Sequence, residues 1–472
     1  MSYGRRVIYS DATAITAENV ADEVRKAFLV HGTNQTEINK LYEVYRGKTD
    51  ILSKVKEVRE SINHKINENR AYEIVNFYNG YLFGEPVQYV RRENAKKKND
   101  VDDAIAADIN ALNGFMFSAG KAACDKRLGE WMFIAGAGYR LTLPNPKWEK
   151  DGDEPPFVMY SLNPAQTFII RSTGVDQRDL AGVHVVTREN NERVFSVYTE
   201  DSYFEFTEFG NDVTAKPHTL GMEPIVEYPI EASRIGVFEV VQDLLDALNE
   251  LQSNRMDDIV QFVNSFLAIL GGQLDEDTRK KLDEWKTLCL PEGVDAKYLS
   301  ANLSQADVQT LKNDILEAII TITGIPNRNG GTSTSDTGSA VIMRDGWQDA
   351  EARAKGVETM FKEAETKTLK LVLRILRDTT GTSLKLSDID THFTRRNYEN
   401  IASKSQVLVA MLNNPKIHPE LAFAHCGMFP DPESAYLQSK DYYDEQMKKW
   451  EPVDVGADES ADDDVGGDEG DV

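Results

Sequence analysis

The clearest candidate for chemistry in the sequence is the tripeptide Gly47-Lys48-Thr49, which matches the end of a phosphate-binding loop. Such a loop needs another glycine five residues earlier, and it follows a buried strand, so that backbone N–H groups can approach a phosphate. Position 42 is Tyr42, and the flanking apolar residues have helical spacing. We therefore interpret the tripeptide as a chance match and predict no nucleotide site.

Other combinations of reactive side chains are also incomplete. Gly136-Ala137-Gly138 lacks the third glycine of a dinucleotide fingerprint, and His418 with His425-Cys426 lacks a fourth metal ligand. The acid pairs Asp102-Asp103 and Asp257-Asp258 fall on helical patterns, where a solvated face is the usual explanation. We predict no catalytic residue, no cofactor and no metal. A metal-dependent nucleic-acid enzyme on a helical scaffold stays an alternative, because carboxylate sites leave weak traces in a sequence.

Charge limits the ways in which this chain of 472 residues can bind nucleic acid. It has 53 Lys plus Arg against 78 Asp plus Glu, a net charge of −25. Residues 451–472 hold ten of the acids and no base, so the rest of the chain still carries −15. This balance argues against binding nucleic acid by broad charge neutralisation, but it permits nucleic acid to slide past. The three scattered cysteines and the lack of a long apolar run predict a soluble cytoplasmic chain.

The elements that must position any site are centred on residues 324–377. Residues 324–338 are rich in Gly, Ser, Thr and Asn, which predicts a loop. A helical pattern follows from 339 to 377, roughly 60 Å long at 1.5 Å per residue, with Gly346 and Gly356 as expected bend points. Apolar or small residues recur at steps of four and three along it: Met343, Trp347, Ala350, Ala354, Val357, Phe361, Ala364, Thr368, Leu371 and Ile375. A coiled-coil adaptor is a further alternative.

The remaining segments predict an elongated α+β fold that is mainly α. Between residues 138 and 230, short segments rich in β-branched and aromatic residues predict an antiparallel β segment inserted among helices. Residues 1–34 are expected to form an extension, and the acidic tail 451–472 to be disordered. Helical spacing covers the following further ranges: 37–45, 61–81, 100–134, 233–270, 304–323, 400–412 and 433–449.

This order of elements resembles the portal proteins of tailed bacteriophages, particularly those of long-tailed phages of Gram-positive hosts. Three stretches carry the resemblance: INHKINENRAYEIVNFYNGYLFGEPVQY (62–89), SLNPAQTFIIR (161–171) and TGIPNRNGGTSTSDTGSAV (323–341). The resemblance implies a ring, a dodecamer, at one capsid vertex. Double-stranded DNA would be packaged through its channel by terminase and later ejected.

The resemblance also implies a division of the chain into regions. These are an N-terminal extension (1–34), a wing (35–232), a stem helix (233–270), a clip (271–303), a second stem helix (304–323), a tunnel loop (324–338), a long wing helix (339–378), a crown (379–450) and an acidic tail (451–472).

Site residues and partners follow from the same resemblance. The tunnel loop would contact DNA through Asn327, Arg328, Asn329, Thr332 and Ser333. The clip would contact partner proteins through Lys280, Lys281, Glu284 and Trp285. The partners would be further copies of the chain, DNA, terminase, a head-completion or adaptor protein, and the major capsid and scaffolding proteins. The protein would be a virion component assembled in the host cytoplasm, with no enzymatic activity.

Overall fold

The computed structural model describes residues 4–57, 60–92, 101–150, 152–210, 212–263, 266–270, 295–299, 305–327, 346–395, 401–429 and 432–450. The fold is 51% helix and 17% strand, which confirms the predicted α+β, mainly α class. The chain divides into two compact units, here called unit 1 (Met1–Arg396) and unit 2 (Asn397–Val472). No helix in the described ranges is both long and apolar enough to cross a bilayer.

The helices of the described ranges are α1 (Val20–Tyr45), α2 (Arg70–Phe83), α3 (Val101–Ser118), α4 (Lys121–Ala135), α5 (Gln242–Val263), α6 (Gln305–Thr323), α7 (Trp347–Thr379), α8 (Ile401–Leu412), α9 (Pro419–Cys426) and α10 (Pro432–Trp450). The strands are β1 (Ile8–Ser10), β2 (Gln88–Arg91), β3 (Ala137–Pro144), β4 (Phe157–Leu162), β5 (Thr167–Ser172), β6 (Asp179–Thr187), β7 (Arg193–Tyr198), β8 (Ser202–Thr207), β9 (Thr214–Pro217), β10 (Ile225–Pro229), β11 (Phe266–Leu270), β12 (Asp295–Leu299) and β13 (Ile389–His392).

The predicted β segment folds as two sheets. One sheet has the order β1-β5-β6-β7-β8-β9 and is antiparallel except for the parallel β1–β5 pair, and the other has the order β10-β3-β4. Alternate residues of the first sheet, including Phe168, Val183 and Phe195, are buried with Val20 and Val24 of α1. The period-two alternation of the sequence therefore becomes a sheet with one face covered by a helix.

Helix α7 is the element on which much of the core of unit 1 converges. Its predicted apolar stripe is confirmed, since Ala350, Ala354 and Phe361 are fully buried. Its C-terminal half, rich in Leu, is buried with β2, α3 and β13. Ala at two successive stripe positions allows neighbouring elements to approach the helix closely, while Phe361 fills the space about two turns further on.

The N-terminal residues are integral to unit 1, in contrast to the predicted extension. Strand β1 pairs with β5, and α1 begins at Val20 where the sequence predicted a helix from residue 37. The sequence analysis did not predict this part of the helix, because glycine, threonine and asparagine in the stretch 32–36 have low helix propensity. Asn34 offsets that cost: its buried side chain accepts from Arg6 N and donates to Arg6 O, both at 2.9 Å.

Three predicted helices end or begin elsewhere. The helix predicted over 61–81 begins only at Arg70, because Asn69 is left-handed (φ +37°) and its side chain accepts from Tyr72 N. The helix predicted over 100–134 is broken at Gly120, which has φ +66°. The helix predicted over 233–270 begins at Gln242 and ends at Val263, and Phe266–Leu270 is a strand paired with Asp295–Leu299. A short apolar run fits a helix or a strand equally well, so periodicity alone could not separate them.

The two glycines predicted as bend points have different roles. Gly346 is the N-cap of α7 with φ +78°, so it begins the helix, and the prediction of a bend within a longer helix was wrong there. Residues 339–345, which were predicted to precede it, lie outside the described residues. Gly356 lies inside α7 with open space on its Cβ side.

Unit 2 contains the two predicted helices, α8 and α10, and one that the sequence analysis missed. Helix α9 begins with Pro419 at its first turn, and His418 Nδ1 accepts from Glu420 N at 3.3 Å as its cap. Proline is well suited to the first helical position, so Pro419 is a helix start signal that the sequence analysis did not use.

Candidate functional site at the base of the loop

The loop after α6 leaves and returns at neighbouring points of unit 1. Helix α6 ends at Thr323, and Gly324 turns the chain with φ +71°. A Cβ placed on Gly346, where α7 begins, would lie 4.0 Å from Pro326 Cα. Pro326 and Gly346, on either side of residues 328–345, therefore lie side by side in unit 1.

Aromatic side chains of α2 hold both ends of the loop. The Tyr78 hydroxyl donates to the Thr323 carbonyl, and burial raises the pKa of Tyr78 to about 12, so this donor stays protonated. The ring centroids of Phe77 and Tyr81 lie 6.1 Å from that of Trp347, at the start of α7. Helix α2 thus contacts both the end of α6 and the start of α7. These contacts explain the aromatic residues in the stretch 62–89, which carries part of the resemblance.

Arg353 lies directly over the start of the loop. A Cβ on Gly324 would come within 2.4 Å of Arg353 Cδ, so a larger residue there would have to displace the arginine side chain. Arg353 also lines a cleft of about 390 Å³ with Tyr78, Ile235, Ile322 and other apolar side chains. The sequence analysis missed Arg353, because it sits one position before Ala354 of the buried stripe and looked like an ordinary exposed base.

A closed group of charges lies in the middle of α7. Arg140 of β3 donates to Glu365 Oε2 at 2.7 Å and to the carboxylate of Asp125. Lys121 of α4 pairs with Asp125 and lies 3.4 Å from Glu365 Oε1. All four side chains are buried, and two positive charges face two negative ones. The group, here called the buried tetrad, ties α4, β3 and α7 together.

Hydroxyl groups add two further hydrogen bonds to the buried tetrad, although Arg140 Nε has no hydrogen-bond partner. Tyr228 donates to Glu365 Oε2 at 2.8 Å, and Tyr89 donates to the other oxygen of Glu365. Burial alone would raise the pKa of Glu365, but Lys121 and Arg140 lower it to about 2. Glu365 is therefore ionised at neutral pH. Because the tetrad is fully enclosed, its role is to fix α7 in register with the strands, and it offers no access to a substrate.

Helices α5 and α6 lie together and expose apolar side chains. Arg255, which interrupts the apolar stripe of α5, donates to Gln305 Oε1 at 3.0 Å and to Gln309 Oε1 at 2.9 Å on α6. On the same two helices, apolar side chains stay at least 39% exposed: Met256, Ile259, Leu311 and Ile322. In the described ranges, these four are the large apolar side chains of α5 and α6 that are exposed to solvent.

Most residues predicted to act at a site lie outside the described residues. These are Arg328, Asn329, Thr332 and Ser333 of the loop, and Lys280, Lys281, Glu284 and Trp285 of the clip. Asn327 is described and half-buried at the start of the loop. The predicted placements of the other eight residues stay predictions.

The structure also answers the questions raised by the motif search. Gly47-Lys48-Thr49 follows helix α1 rather than a strand, and Lys48 pairs with Glu43, as expected of a chance match. Among the described residues, no group of three His, Cys, Asp or Glu side chains is arranged to hold a metal ion. Asp257 was predicted to lie on a solvated face, and this was wrong: its side chain is completely buried.

Comparison with known proteins places the chain in a family. Residues 29–453 match the family described as "Phage portal protein, SPP1 Gp6-like", so the chain belongs to the phage portal proteins. No curated protein sequence matches it. One similar solved structure is the neck of a native GTA particle computed with C12 symmetry, which is 12% identical and has a TM-score of 0.44. Another is the neck of an empty GTA particle computed with C6 symmetry, which is 12% identical and has a TM-score of 0.45. Each comparison covers 84% of this chain and 94% of that chain. A third is the virion of a native gene transfer agent particle, with 11% identity over 84% of this chain and 94% of that chain and a TM-score of 0.46.

Family membership defines what this molecule does. It is a portal protein, a component of the virion that forms the channel at a capsid vertex as a homo-oligomeric ring. The family is structural rather than enzymatic.

Proposed function

We propose that twelve copies of this chain form a ring through which terminase drives double-stranded DNA into the capsid, and through which the DNA leaves at ejection. The observation that carries the proposal is the family match, which spans residues 29–453 and so includes both units. The ring is assembled in the host cytoplasm before the head is filled, and it has no catalytic residues of its own.

The exposed side of α5 and α6 is the surface best suited to the ring contact. Symmetric subunits that bind head to tail close into a ring, and each contact then repeats around the axis. Met256, Ile259 and Leu311 supply apolar area that is unfavourable in water. Burying this area against the neighbouring copy would remove that cost, whereas a single subunit would leave it exposed.

The tunnel loop (324–338) is the part proposed to contact DNA. Pro326 and Gly346 lie side by side, so the 18 residues 328–345 can reach at most roughly 30 Å from them before returning. Arg328 is the only base in the sequence of the tunnel loop (324–338), and Arg353 adds a second positive charge at its start. Repeated around a ring, these arginines would form a collar, while the acidic body would keep the DNA from binding tightly.

Protein partners are proposed at the other regions. Terminase and the head-completion or adaptor protein would bind the clip, which contains Lys280, Lys281, Glu284 and Trp285. Scaffolding and major capsid proteins would surround the ring in the shell. These assignments rest on the resemblance of the sequence, and they are open to direct binding measurements with purified partners.

DNA packaging in vitro tests the proposed function. Capsids assembled with the wild-type chain, with Arg328→Lys or with Arg328→Ala would be supplied with terminase, ATP and DNA, and the DNA protected from nuclease would be measured. We expect Arg328→Lys to protect nearly as much DNA as the wild type, because it retains the charge, and Arg328→Ala to protect several-fold less. Equal protection in capsids without the chain would refute a role in DNA entry. Wild-type protection with Arg328→Ala would refute only the collar.

A further inference from the structure

Residues 62–68 run along α5 although they form no helix or sheet. Alternate backbone N–H groups of this segment donate to side chains of α5. His64 N donates to Asp257 Oδ1 at 2.8 Å, Ile66 N to Ser253 Oγ at 2.9 Å, and Glu68 N to Asn249 Oδ1 at 2.9 Å. Three contacts with the same spacing show that Asn249, Ser253 and Asp257 form a row of hydrogen-bond acceptors, here called the track. The extended segment lies along this row.

The geometry of a helix and an extended chain explains this register. Two residues of extended chain advance about 6.6 Å, and four residues of α-helix advance about 6.0 Å. Acceptors at positions 249, 253 and 257 therefore face donors at 68, 66 and 64 in antiparallel order. All three acceptor side chains are buried. Their short polar groups satisfy backbone donors that no secondary structure satisfies.

Asp257, at one end of the track, is its only charged acceptor. Its buried carboxylate accepts from the ring of His64 at 2.7 Å and from Lys56, and Lys54 Nζ lies 3.9 Å away. Burial raises the pKa of Asp257, but hydrogen bonds from Lys56 and His64 outweigh this and leave the pKa lowered. One carboxylate therefore holds two lysines that would otherwise face each other without a counter-charge.

The other end of the segment joins the two helices. The Glu68 carboxylate accepts from Gln252 of α5 and from Lys312 Nζ of α6, the latter at 2.7 Å. Helix α5 ends at Val263, only two residues before β11 begins at Phe266. A shift of α5 would thus be transmitted to β11 and to its partner strand β12, which lies in the clip, the region proposed to bind partner proteins.

We propose that residues 54–57 and 60–68 form a strap that fixes α5 and α6 in position, and that Asp257 is its positioning residue, whose charge keeps the strap closed. The strap is held largely by polar contacts, and its side chains from 62 to 68 are half-buried or exposed. Such a segment can open locally while the apolar core stays folded. The role of the strap in the ring rests on the proposed function, but its opening can be measured without DNA or partners.

Hydrogen exchange of the full-length protein tests the proposal, with Asp257→Asn as the main variant. Asparagine keeps an oxygen for His64 N but loses the charge that holds Lys56. We expect the amides of residues 60–68 to exchange at least tenfold faster, while those of α7 keep their wild-type rates. The control is Asp258→Asn, which neutralises the adjacent, exposed acid and should change nothing.

Two further variants separate electrostatics from a loss of structure. Adding Lys56→Met to Asp257→Asn removes the lysine charge that has lost its carboxylate partner, so hydrogen exchange in the strap should become slower again. Lys56→Met alone keeps the carboxylate and His64, and it should raise exchange less than Asp257→Asn does. Unchanged exchange in Asp257→Asn, an equal rise in α7, or no rescue by Lys56→Met would each overturn the strap. None of these results depends on whether DNA passes through a ring.

Discussion

Replacing Glu365 with Gln is expected to lower the free energy of unfolding of unit 1 by about 3–5 kcal/mol, because it breaks a buried ion pair and strands its partner. Glutamine has nearly the same shape, so the cost comes from charge: Arg140 and Lys121 would face Asp125 alone. Chemical denaturation followed by tryptophan fluorescence measures the shift of the unfolding midpoint.

Two controls show whether the buried tetrad is responsible. Glu363→Gln neutralises an exposed acid two residues earlier on the same helix, and it should change the free energy of unfolding by less than about 0.5 kcal/mol. The double variant Glu365→Leu with Arg140→Met removes one charge of each sign, so it should recover most of the loss. A loss as large in Glu363→Gln, or none in Glu365→Gln, would contradict the role given to the tetrad.

The pKa of Glu365 also gives the tetrad a distinct dependence on pH. The folded-state pKa is about 2, below the ordinary value of 4.5. The stabilisation from the ionised carboxylate is therefore complete above pH 4.5, and it is lost as the pH falls toward 2. The stability difference between the wild type and Glu365→Gln should be constant from pH 5 to 8 and shrink below pH 4.5.

Replacing Gly136 with Ala is expected to destabilise unit 1 by about 2–4 kcal/mol, since it combines an unfavourable backbone with a backbone clash. Gly136 joins α4 to β3 with φ +81°, and a Cβ there would lie 2.1 Å from the Arg234 carbonyl oxygen. A backbone atom cannot move aside as a flexible side chain can. The Gly136 carbonyl also accepts from Ile230 N at 3.1 Å, so a shift would disturb β10 as well.

Gly356→Ala is the matched control for this substitution. Gly356 lies within α7 with nothing near its Cβ position, so alanine should stabilise the helix by about 1 kcal/mol. Thermal unfolding of the two variants should therefore shift in opposite directions. If Gly136→Ala unfolds at the wild-type temperature, the junction between α4 and β3 is more tolerant than the structure indicates.

Periodicity was sufficient to predict the elements that bury a clear face. The stripe of α7 through Ala350, Ala354 and Phe361 is buried as its spacing indicated, and α6 (Gln305–Thr323) agrees with the predicted range 304–323. The alternating segments between 138 and 230 became strands β3–β10. In these cases one face of the element meets the core, so the hydrophobic pattern directly reports the structure.

The errors arose where side chains from distant segments decide the local structure. Residues 61–69 have helical spacing, but the N–H groups of Ile66 and Glu68 donate to Ser253 and Asn249, nearly two hundred residues away. Asp257 looked like a solvated acid because its partners, Lys56 and His64, lie equally far along the chain. Charges that are paired only in the folded state carry no local signal, and neither does the buried tetrad.

The composition predicted a loop after α6, and of that loop the structure describes residues 324–327. Its contact with DNA, which the resemblance to portal proteins implies, stays a prediction. The aromatic contacts from Tyr78 and Tyr81 of α2 to the ends of the loop depend on tertiary packing, and so does the placement of Arg353 over Gly324. Such contacts follow from the path of the chain and not from any motif.

Imaging of the purified chain by electron microscopy, together with its mass in solution, tests the ring most directly. We predict particles with a central channel, and a mass of twelve 53.0 kDa subunits. Substituting charged residues for Ile259 and Leu311 on the exposed face of α5 and α6 should reduce the fraction of rings. A stable monomer at every concentration, with no ring in the images, would contradict the account.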